Sequence, residues 1–175
     1  MIKKSSKAYW LSYIAMFSAL MCIGAPFCIY IGSIPITLSL FFVFLTALFL
    51  PPAQAFLAMV IYVLLGAVGL PVFSGFLGSV SVIMSFTGGF ILAYPIVALL
   101  VSFISRRSEN KAFLLLAFAA GLAFLYTVGS MWYMMVSDTK LKAALITSVL
   151  PFIPFDILKA IASAVIYFAI KKRIK

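Results

Sequence analysis

Acidic and metal-binding side chains are almost absent from this chain. Its 175 residues include no His, two Cys and three acids, Glu109, Asp138 and Asp156. Metal sites and most enzyme active sites are built from these residue types, so the sequence predicts no metal, no cofactor and no catalytic centre. Cys22 and Cys28 lie inside one apolar run, at a spacing that matches no common metal or redox motif. We expect both to be small apolar packing residues.

Charge of either sign is also scarce. Charged residues make up 9 % of the chain and hydrophobic residues 66 %, whereas a soluble domain carries about 25 % charged residues. No charged residue or His lies between Lys7 and Arg106, and this stretch is long enough for about four membrane crossings of about 20 residues each. The net charge of +10 does not indicate a nucleic-acid partner, because the cations lie at the ends of apolar runs. The sequence predicts a polytopic membrane protein in contact with lipid.

Six apolar runs are separated by Pro, Gly, Ser and charged residues. They cover residues 9–31, 34–50, 53–70, 88–105, 112–135 and 150–170. We expect an all-α fold of six transmembrane helices in one integral membrane domain over residues 1–175. The first run is expected to remain as a span, because no cleavage site of small residues follows it. Pro35 is expected to open the second helix and Pro51 to follow its end, because proline disfavours helix in the residue before it.

The distribution of cations predicts the orientation. Ten of the 13 Lys and Arg residues fall on one side of the six-span arrangement: Lys3, Lys4, Lys7, Arg106, Arg107, Lys111, Lys171, Lys172, Arg173 and Lys175. Lys140 and Lys142 fall on the opposite side. Cytoplasmic loops carry the excess of Lys and Arg, so both termini are predicted to be cytoplasmic.

An uncharged loop separates the third and fourth runs. Residues 71–87 contain Gly, Ser and apolar side chains, too apolar for a free linker and too rich in glycine for an ordinary span. Irregular backbone at membrane depth is tolerated only when it is buried in protein or lines a cavity. We expect this external loop to shape a site, although a simple connector between two spans is also possible.

Asp156 and Lys159 are charges inside the last apolar run. A charge within a span costs at least about 2.5–3.5 kcal/mol and usually has a partner in the bundle interior. The i, i+3 spacing places both side chains on one helical face, about 4.5 Å apart along the axis. They are expected to neutralise each other and to bind a polar ligand; an ion pair tolerated near the outer end of the span is the alternative.

Small residues recur at a spacing of four on two of the runs. Ala15 and Ala19 lie in the first, and Ala160 and Ala164 in the last. Such pairs permit close approach of helices. They indicate either packing within the chain or a docking face for another protein.

Four segments, in the right order, carry a resemblance to a known family. They are residues 34–38 (IPITL), 69–73 (GLPVF), 87–90 (TGGF) and 150–159 (LPFIPFDILK). Together they resemble the BioY family, the biotin-binding S components of energy-coupling factor (ECF) vitamin transporters. The resemblance implies a six-helix bundle in the bacterial cytoplasmic membrane with a ligand pocket near its outer face. The chain departs from the usual family pattern at Ser39, at Phe86 and at the pair Ala53 and Gln54, which stands where basic residues are common.

The resemblance also implies roles for individual residues. Asp156 and Lys159 would hydrogen-bond the ureido head of biotin, Phe73 would cover its ring system, and Ser85, Thr87 and Tyr94 would supply further polar contacts. The first helix would dock through Ala15 and Ala19 on the transmembrane coupling (T) subunit, which works with two ATPase subunits. The chain has no Walker-type phosphate loop, so ATP would be hydrolysed elsewhere. A stand-alone carrier or facilitator for biotin or another small vitamin is the alternative function.

Overall fold

Helices form most of the regular structure of this chain. The computed structural model describes residues 7–31, 34–108 and 110–174, so Lys3, Lys4, Glu109 and Lys175 lie outside the described residues. In chain order the elements are α1 (Lys7–Gly24), β1 (Cys28–Ile31), β2 (Ile34–Thr37), α2 (Ser39–Phe49), α3 (Pro52–Ala67), α4 (Val80–Ile83), α5 (Gly88–Ser105), α6 (Lys111–Ser137), α7 (Leu141–Ser148) and α8 (Ile153–Ile174).

Within the described ranges, four helices, α1, α5, α6 and α8, are long and apolar enough to cross a membrane. The helices α2 and α3 are apolar but shorter, with 11 and 16 residues. At 1.5 Å per residue they are about 16 and 24 Å long, less than the roughly 30 Å of a hydrocarbon core. The helical character of the fold is confirmed, while the structure by itself supports four full-length spans.

The expectation of an all-helical chain is wrong for residues 28–31 and 34–37. They form an antiparallel hairpin in which Cys28 pairs with Thr37 and Ile29 with Ile36. The first helix therefore ends at Gly24, and Pro35 lies in β2 instead of opening a helix. Aromatic and β-branched residues favour extended backbone, and proline disfavours helix in the residue before it. These local preferences outweigh the apolar composition that suggested two continuous spans.

The other elements match the expected runs more closely. The helix α5 has the predicted bounds, and α3 and α6 differ from them by a few residues. The helix α8 begins at Ile153, with Pro154 in the first turn, where the missing proline N–H leaves no helical bond unmade. An additional helix, α7, occupies the connection between the fifth and sixth runs. Asp138, in the left-handed region with φ of 50°, ends α6 before it.

The core lies around α5, which packs against α3, α6 and α2. The helix α1 packs on α3, and α8 packs on α2. Two buried hydroxyls join helices across this core: Ser18 donates to the carbonyl oxygen of Ala58 at 2.9 Å, and Ser102 donates to that of Leu50 at 2.6 Å. Both hydroxyls are thereby satisfied away from water, and α1 and α5 are held against their neighbours.

The two ends of the bundle differ in structure and charge. At the end that we call the site end, the first turns of α2, α5 and α8 lie beside the hairpin, residues 71–87 and α7. At the opposite end, which we call the basic end, the last turns of α2, α5 and α8 meet the first turn of α6.

Candidate ligand-binding site

A polar cleft opens at the site end. Its polar lining includes Asp156, Lys159, Tyr126, Ser148, Thr87 and Thr37, and its apolar lining includes Leu40, Phe90, Ile91, Leu125 and Phe152. The cavity volume is about 60 Å³, enough for a few water molecules. Small-molecule sites usually combine an apolar wall with a few convergent polar groups, as this cleft does.

The charged pair predicted from the sequence lies in this cleft as an ion pair. Lys159 Nζ donates to Asp156 Oδ1 at 2.7 Å, and the two side chains are 11 % and 7 % exposed. Tyr126, from the middle of α6, donates its hydroxyl to Asp156 Oδ2 at 2.8 Å. Both carboxylate oxygens therefore have a donor. Hydrogen bonds to a charged group are roughly twice as strong as neutral ones, so this arrangement fixes the carboxylate in place.

The backbone of α8 supports the position of Asp156. This residue lies in the first turn of the helix, where the helix dipole favours a negative charge. Its N–H donates to the carbonyl oxygen of Phe152 at 2.8 Å, which closes the turn that follows Pro151. The packing of α8 on α2 then places the carboxylate opposite Tyr126.

One buried hydroxyl in the lining has no protein partner. Ser148 ends α7, is 1 % exposed, and its Oγ forms no hydrogen bond within the described part of the chain. Buried polar atoms in native proteins nearly always have a partner, and an exception needs an explanation. A polar group of a bound ligand in the cleft would supply one.

Of the three residues expected to supply further polar contacts, Thr87 and Tyr94 line the cleft and Ser85 does not. The Ser85 hydroxyl donates to the carbonyl oxygen of Val82 at 2.7 Å and lies 3.1 Å from the Thr87 hydroxyl. The Ser85 carbonyl accepts from Trp132 Nε1 at 3.0 Å. Ser85 therefore supports the wall that Thr87 forms and anchors residues 71–87 to α6.

Phe73 lies beneath the cleft and does not line it. Its ring is fully buried and packs edge-on against Tyr62, with centroids 5.6 Å apart. A Cβ at Gly66 would overlap this ring, so the glycine is what admits Phe73 between α3 and the loop. The next residue, Ser74, does line the cleft. Phe73 thus positions the loop, and no contact between its ring and the cavity is present.

The glycine pair at the start of α5 has a packing role. A Cβ at Gly89 would collide with Trp132, and one at Gly88 would collide with the carbonyl oxygen of Ile83. The absent side chain of Gly89 lets α6 approach α5 closely beside the cleft, and that of Gly88 lets the end of α4 approach the start of α5. These close contacts explain why residues 88 and 89 are glycines.

Comparison with known proteins identifies the family. The sequence profile of the BioY family matches residues 1–175. The chain belongs to the BioY family. It is 41 % identical over 160 residues to a probable biotin transporter BioY of Pyrococcus horikoshii, covering 91 % of this chain and 94 % of the relative. It is 35 % identical over 157 residues to the biotin transporter BioY of Thermotoga maritima, covering 90 % and 92 %.

A solved structure has the same fold as this BioY chain. It is the crystal structure of the S-component for biotin from an ECF-type ABC transporter, with a TM-score of 0.89 and 28 % sequence identity, covering 98 % of this chain and 95 % of that one. Membership of a transporter family, with several apolar helices of spanning length, makes the chain a multi-pass membrane protein.

The small residues of this BioY chain fall into two groups. Ala15 and Ala19 are exposed on α1, so they do not pack within the chain. Ala160 is buried and Ala164 is half-buried on α8, so this pair serves internal packing. Internal packing is therefore the role of the α8 pair, and the α1 pair lies on the outer surface of the chain.

Several residues of the cleft were not predicted from the sequence, and Tyr126 and Ser148 are the most informative of them. Tyr126 lies in a long apolar run, and its distance of 30 positions from Asp156 gives no pattern to recognise. Ser148 belongs to a helix that was not expected. Ser39, noted only as a departure from the family pattern, also lines the cleft. Within the described ranges, no three His, Cys, Asp or Glu residues are grouped so that they could hold a metal ion.

Proposed function

We propose that this chain is the biotin-binding S component of an ECF-type vitamin transporter. Its relatives are named as biotin transporters, and the solved structure that shares its fold is an S-component for biotin. The chain is accordingly a transporter subunit and not an enzyme. The observation that carries the proposal is the buried Asp156–Lys159 pair, held by Tyr126 in the wall of a cleft.

The chemistry of this pair suits a ureido group. A ureido head has two N–H donors and one carbonyl acceptor, and Asp156 offers an acceptor while Lys159 offers donors. In the empty protein the two charges satisfy each other. In the complex we propose that each exchanges part of this bond for one to the ligand, so no charge is left unpaired. Thr87 and Tyr94 provide further polar contacts.

The cleft is small for the proposed ligand. The cavity of about 60 Å³ is well below the roughly 300 Å³ at the lower end of small-molecule pockets. The hairpin, residues 71–87 and α7 all cover the site end. We propose that at least one of these segments moves outward when biotin enters.

The remaining assignments concern topology and partners. We propose six membrane crossings, in which the short helices α2 and α3 complete the four long spans, and both termini on the cytoplasmic side of a bacterial cell membrane. Ala15 and Ala19 on the exposed face of α1 would meet the T subunit of the ECF module. The two ATPase subunits of that module would supply the energy.

Direct binding to the purified chain tests the assigned site. Biotin titration, with thiamine and riboflavin as comparison ligands, should show preferred binding of biotin without ATP. Asp156→Asn and Lys159→Met should each weaken binding by about 10- to 150-fold, the equivalent of about 1.5–3 kcal/mol for a hydrogen bond to a charged group.

Matched variants at the site end of the bundle control for the removal of charge. Asp138→Asn and Lys142→Met change the same residue types outside the cleft and should leave biotin affinity unchanged. Normal binding by both cleft variants would refute the site. Transport of biotin by the chain alone in sealed vesicles, with no ATPase subunits, would favour the stand-alone carrier instead.

A further inference from the structure

The cleft contains one buried polar atom that the proposed contacts to the ureido head do not use. Ser148, at the end of α7, lines the cleft and is 1 % exposed, and its Oγ has no hydrogen-bond partner among the residues that the structure describes. In the proposed complex, Asp156 and Lys159 already serve the N–H groups and the carbonyl oxygen of the ureido head. A buried hydroxyl without a partner is rare. Ser148 therefore indicates a second polar group on the ligand.

Two helices begin at the same cleft. The first turn of α2 contributes Ser39 and Leu40 to the lining, and the start of α5 contributes Thr87. The start of a helix carries about +0.5 elementary charge, because its first N–H groups lack intrahelical acceptors. Neither first turn contains an acidic residue, and the N-cap side chains, Leu38 and Thr87, accept no hydrogen bond from either helix. No acidic side chain of α2 or α5 balances these positive ends.

The backbone at the start of α2 includes a candidate donor. The Ser39 N–H donates to Thr37 Oγ1 at 3.3 Å, and the Phe41 N–H donates to the carbonyl oxygen of Leu38 at 3.1 Å. The N–H of Leu40, between them, takes part in neither bond, and Leu40 is a buried residue of the cleft lining. Backbone N–H groups at helix starts bind carboxylates and other anions.

The charges of the cleft leave a preference for an anion. Of the described residues that line it, Asp156 is the only acid and Lys159 the only cation, and the two pair with each other at 2.7 Å. The end of α7, where a helix dipole would oppose an anion, is capped, because the Leu145 carbonyl oxygen accepts from the N–H groups of Val149 and Leu150. The unbalanced contribution is the positive one from the starts of α2 and α5.

We propose that Ser148 and the first turn of α2 bind the carboxylate of the ligand. This inference rests on the proposed function, because biotin carries a carboxylate at the end of its acyl tail. The Ser148 hydroxyl donates to one carboxylate oxygen, and the Leu40 N–H donates to the carboxylate from α2. The ureido head remains at Asp156 and Lys159. The substrate class is then a cyclic urea with a carboxylate tail, and a neutral molecule of the same shape binds more weakly.

Two ligands that differ only at the end of the tail test this proposal. Biotin and an analogue in which a methyl group replaces the carboxylate are titrated separately into the purified chain. The unmodified chain should bind biotin at least about tenfold more tightly, as expected for hydrogen bonds to a charged group. Equal affinity for the two ligands would overturn the carboxylate site. Tight binding of both would leave the ureido site in place, so the two proposals fail separately.

The variant Ser148→Ala tests the hydroxyl itself. It should weaken biotin binding by about two- to tenfold and binding of the methyl analogue by less than about twofold. The control Ser163→Ala removes another buried hydroxyl, which donates to the carbonyl oxygen of Ala160 outside the cleft lining, and should leave both affinities unchanged. Equal weakening of both ligands by Ser148→Ala would place the hydroxyl at the ring system and overturn the assignment.

A matched pair of variants tests the start of α2. Ser39→Asp and Ser39→Asn introduce side chains of similar size, but only Asp adds a negative charge beside the proposed carboxylate. The preference for biotin over the methyl analogue should be at least about tenfold lower in Ser39→Asp than in Ser39→Asn, because like charges repel. Retained binding of the methyl analogue would show that the Asp variant is folded. The same preference in both variants would overturn the role of α2.

Discussion

The hydroxyl of Tyr126 is the feature of the cleft whose removal gives the most specific prediction. Tyr126→Phe deletes one oxygen and keeps the ring, so the packing of α6 is conserved. The deleted group donates to Asp156 Oδ2 at 2.8 Å. Asp156 then keeps Lys159 as its donor, and one oxygen of a side chain that is only 7 % exposed loses its partner.

Two ranges bound the loss of stability that we expect for Tyr126→Phe. Hydrogen bonds between membrane helices average about 0.6 kcal/mol with a maximum near 1.7, whereas hydrogen bonds to charged groups reach about 1.5–3 kcal/mol. The bond is short and charge-assisted, so we expect the free energy of unfolding to fall by about 1.5 kcal/mol, where the two ranges meet. If Tyr126 holds the carboxylate for the ligand, biotin affinity should fall by about tenfold, less than for Asp156→Asn.

Two measurements check this prediction. Thermal unfolding in detergent should give a lower melting temperature for Tyr126→Phe than for the unmodified chain. Biotin titration should give an affinity loss of about tenfold, smaller than that of Asp156→Asn. Tyr133→Phe, about two helical turns further along α6 and outside the cleft lining, is the control and should bind biotin normally. Unchanged stability and affinity in Tyr126→Phe, or an equal effect in the control, would refute the role given to this hydroxyl.

Three further predictions concern other parts of the molecule. Ser148→Ala should leave the ligand-free protein as stable as before, because its hydroxyl has no protein partner, and should weaken biotin binding by about two- to tenfold; a loss of stability without loss of affinity would contradict this. Gly89→Ala should lower the melting temperature through about 1–3 kcal/mol of overpacking against Trp132, while Leu92→Ala, at an exposed position of the same helix, should have a smaller effect. Ala15→Leu combined with Ala19→Leu should preserve biotin binding and reduce co-purification of the T and ATPase subunits; unchanged co-purification would remove α1 as the docking face.

The four helices of spanning length were predictable because membrane insertion depends on local composition. A helix such as α5 begins where glycines follow a polar residue and ends where arginines begin, and both limits are visible in the sequence. The hairpin was not predictable by the same reasoning. Its residues are as apolar as those of a span, so average hydropathy hides the local preference of Cys28–Ile31 and Ile34–Thr37 for extended backbone.

The orientation of each helix face was harder to predict than its existence. In a soluble protein the apolar stripe marks the core, but lipid is as apolar as the core of a bundle. Ala15 and Ala160 illustrate this. Each is followed by an alanine four positions later, yet Ala15 is exposed and Ala160 is buried. The positions of Tyr126 and Ser148 in the cleft depend on how α6 and α7 pack, which their spacing in the sequence does not encode.

The pairing of Asp156 with Lys159 meets two requirements. The charges must be tolerated inside a span, and in the proposed function they must also bind the ligand. Either residue alone in a span would cost about 2.5–3.5 kcal/mol or more, and breaking a buried pair by removing one partner typically costs about 3–5 kcal/mol. A single substitution therefore lowers stability as well as recognition. Replacing both residues, as in Asp156→Asn with Lys159→Met, removes the unpaired charge but also the ureido partners. If the pair serves binding, the double variant should regain much of the melting temperature lost in Lys159→Met and should still fail to bind biotin; if it serves only as a tolerated ion pair, biotin binding should return along with stability.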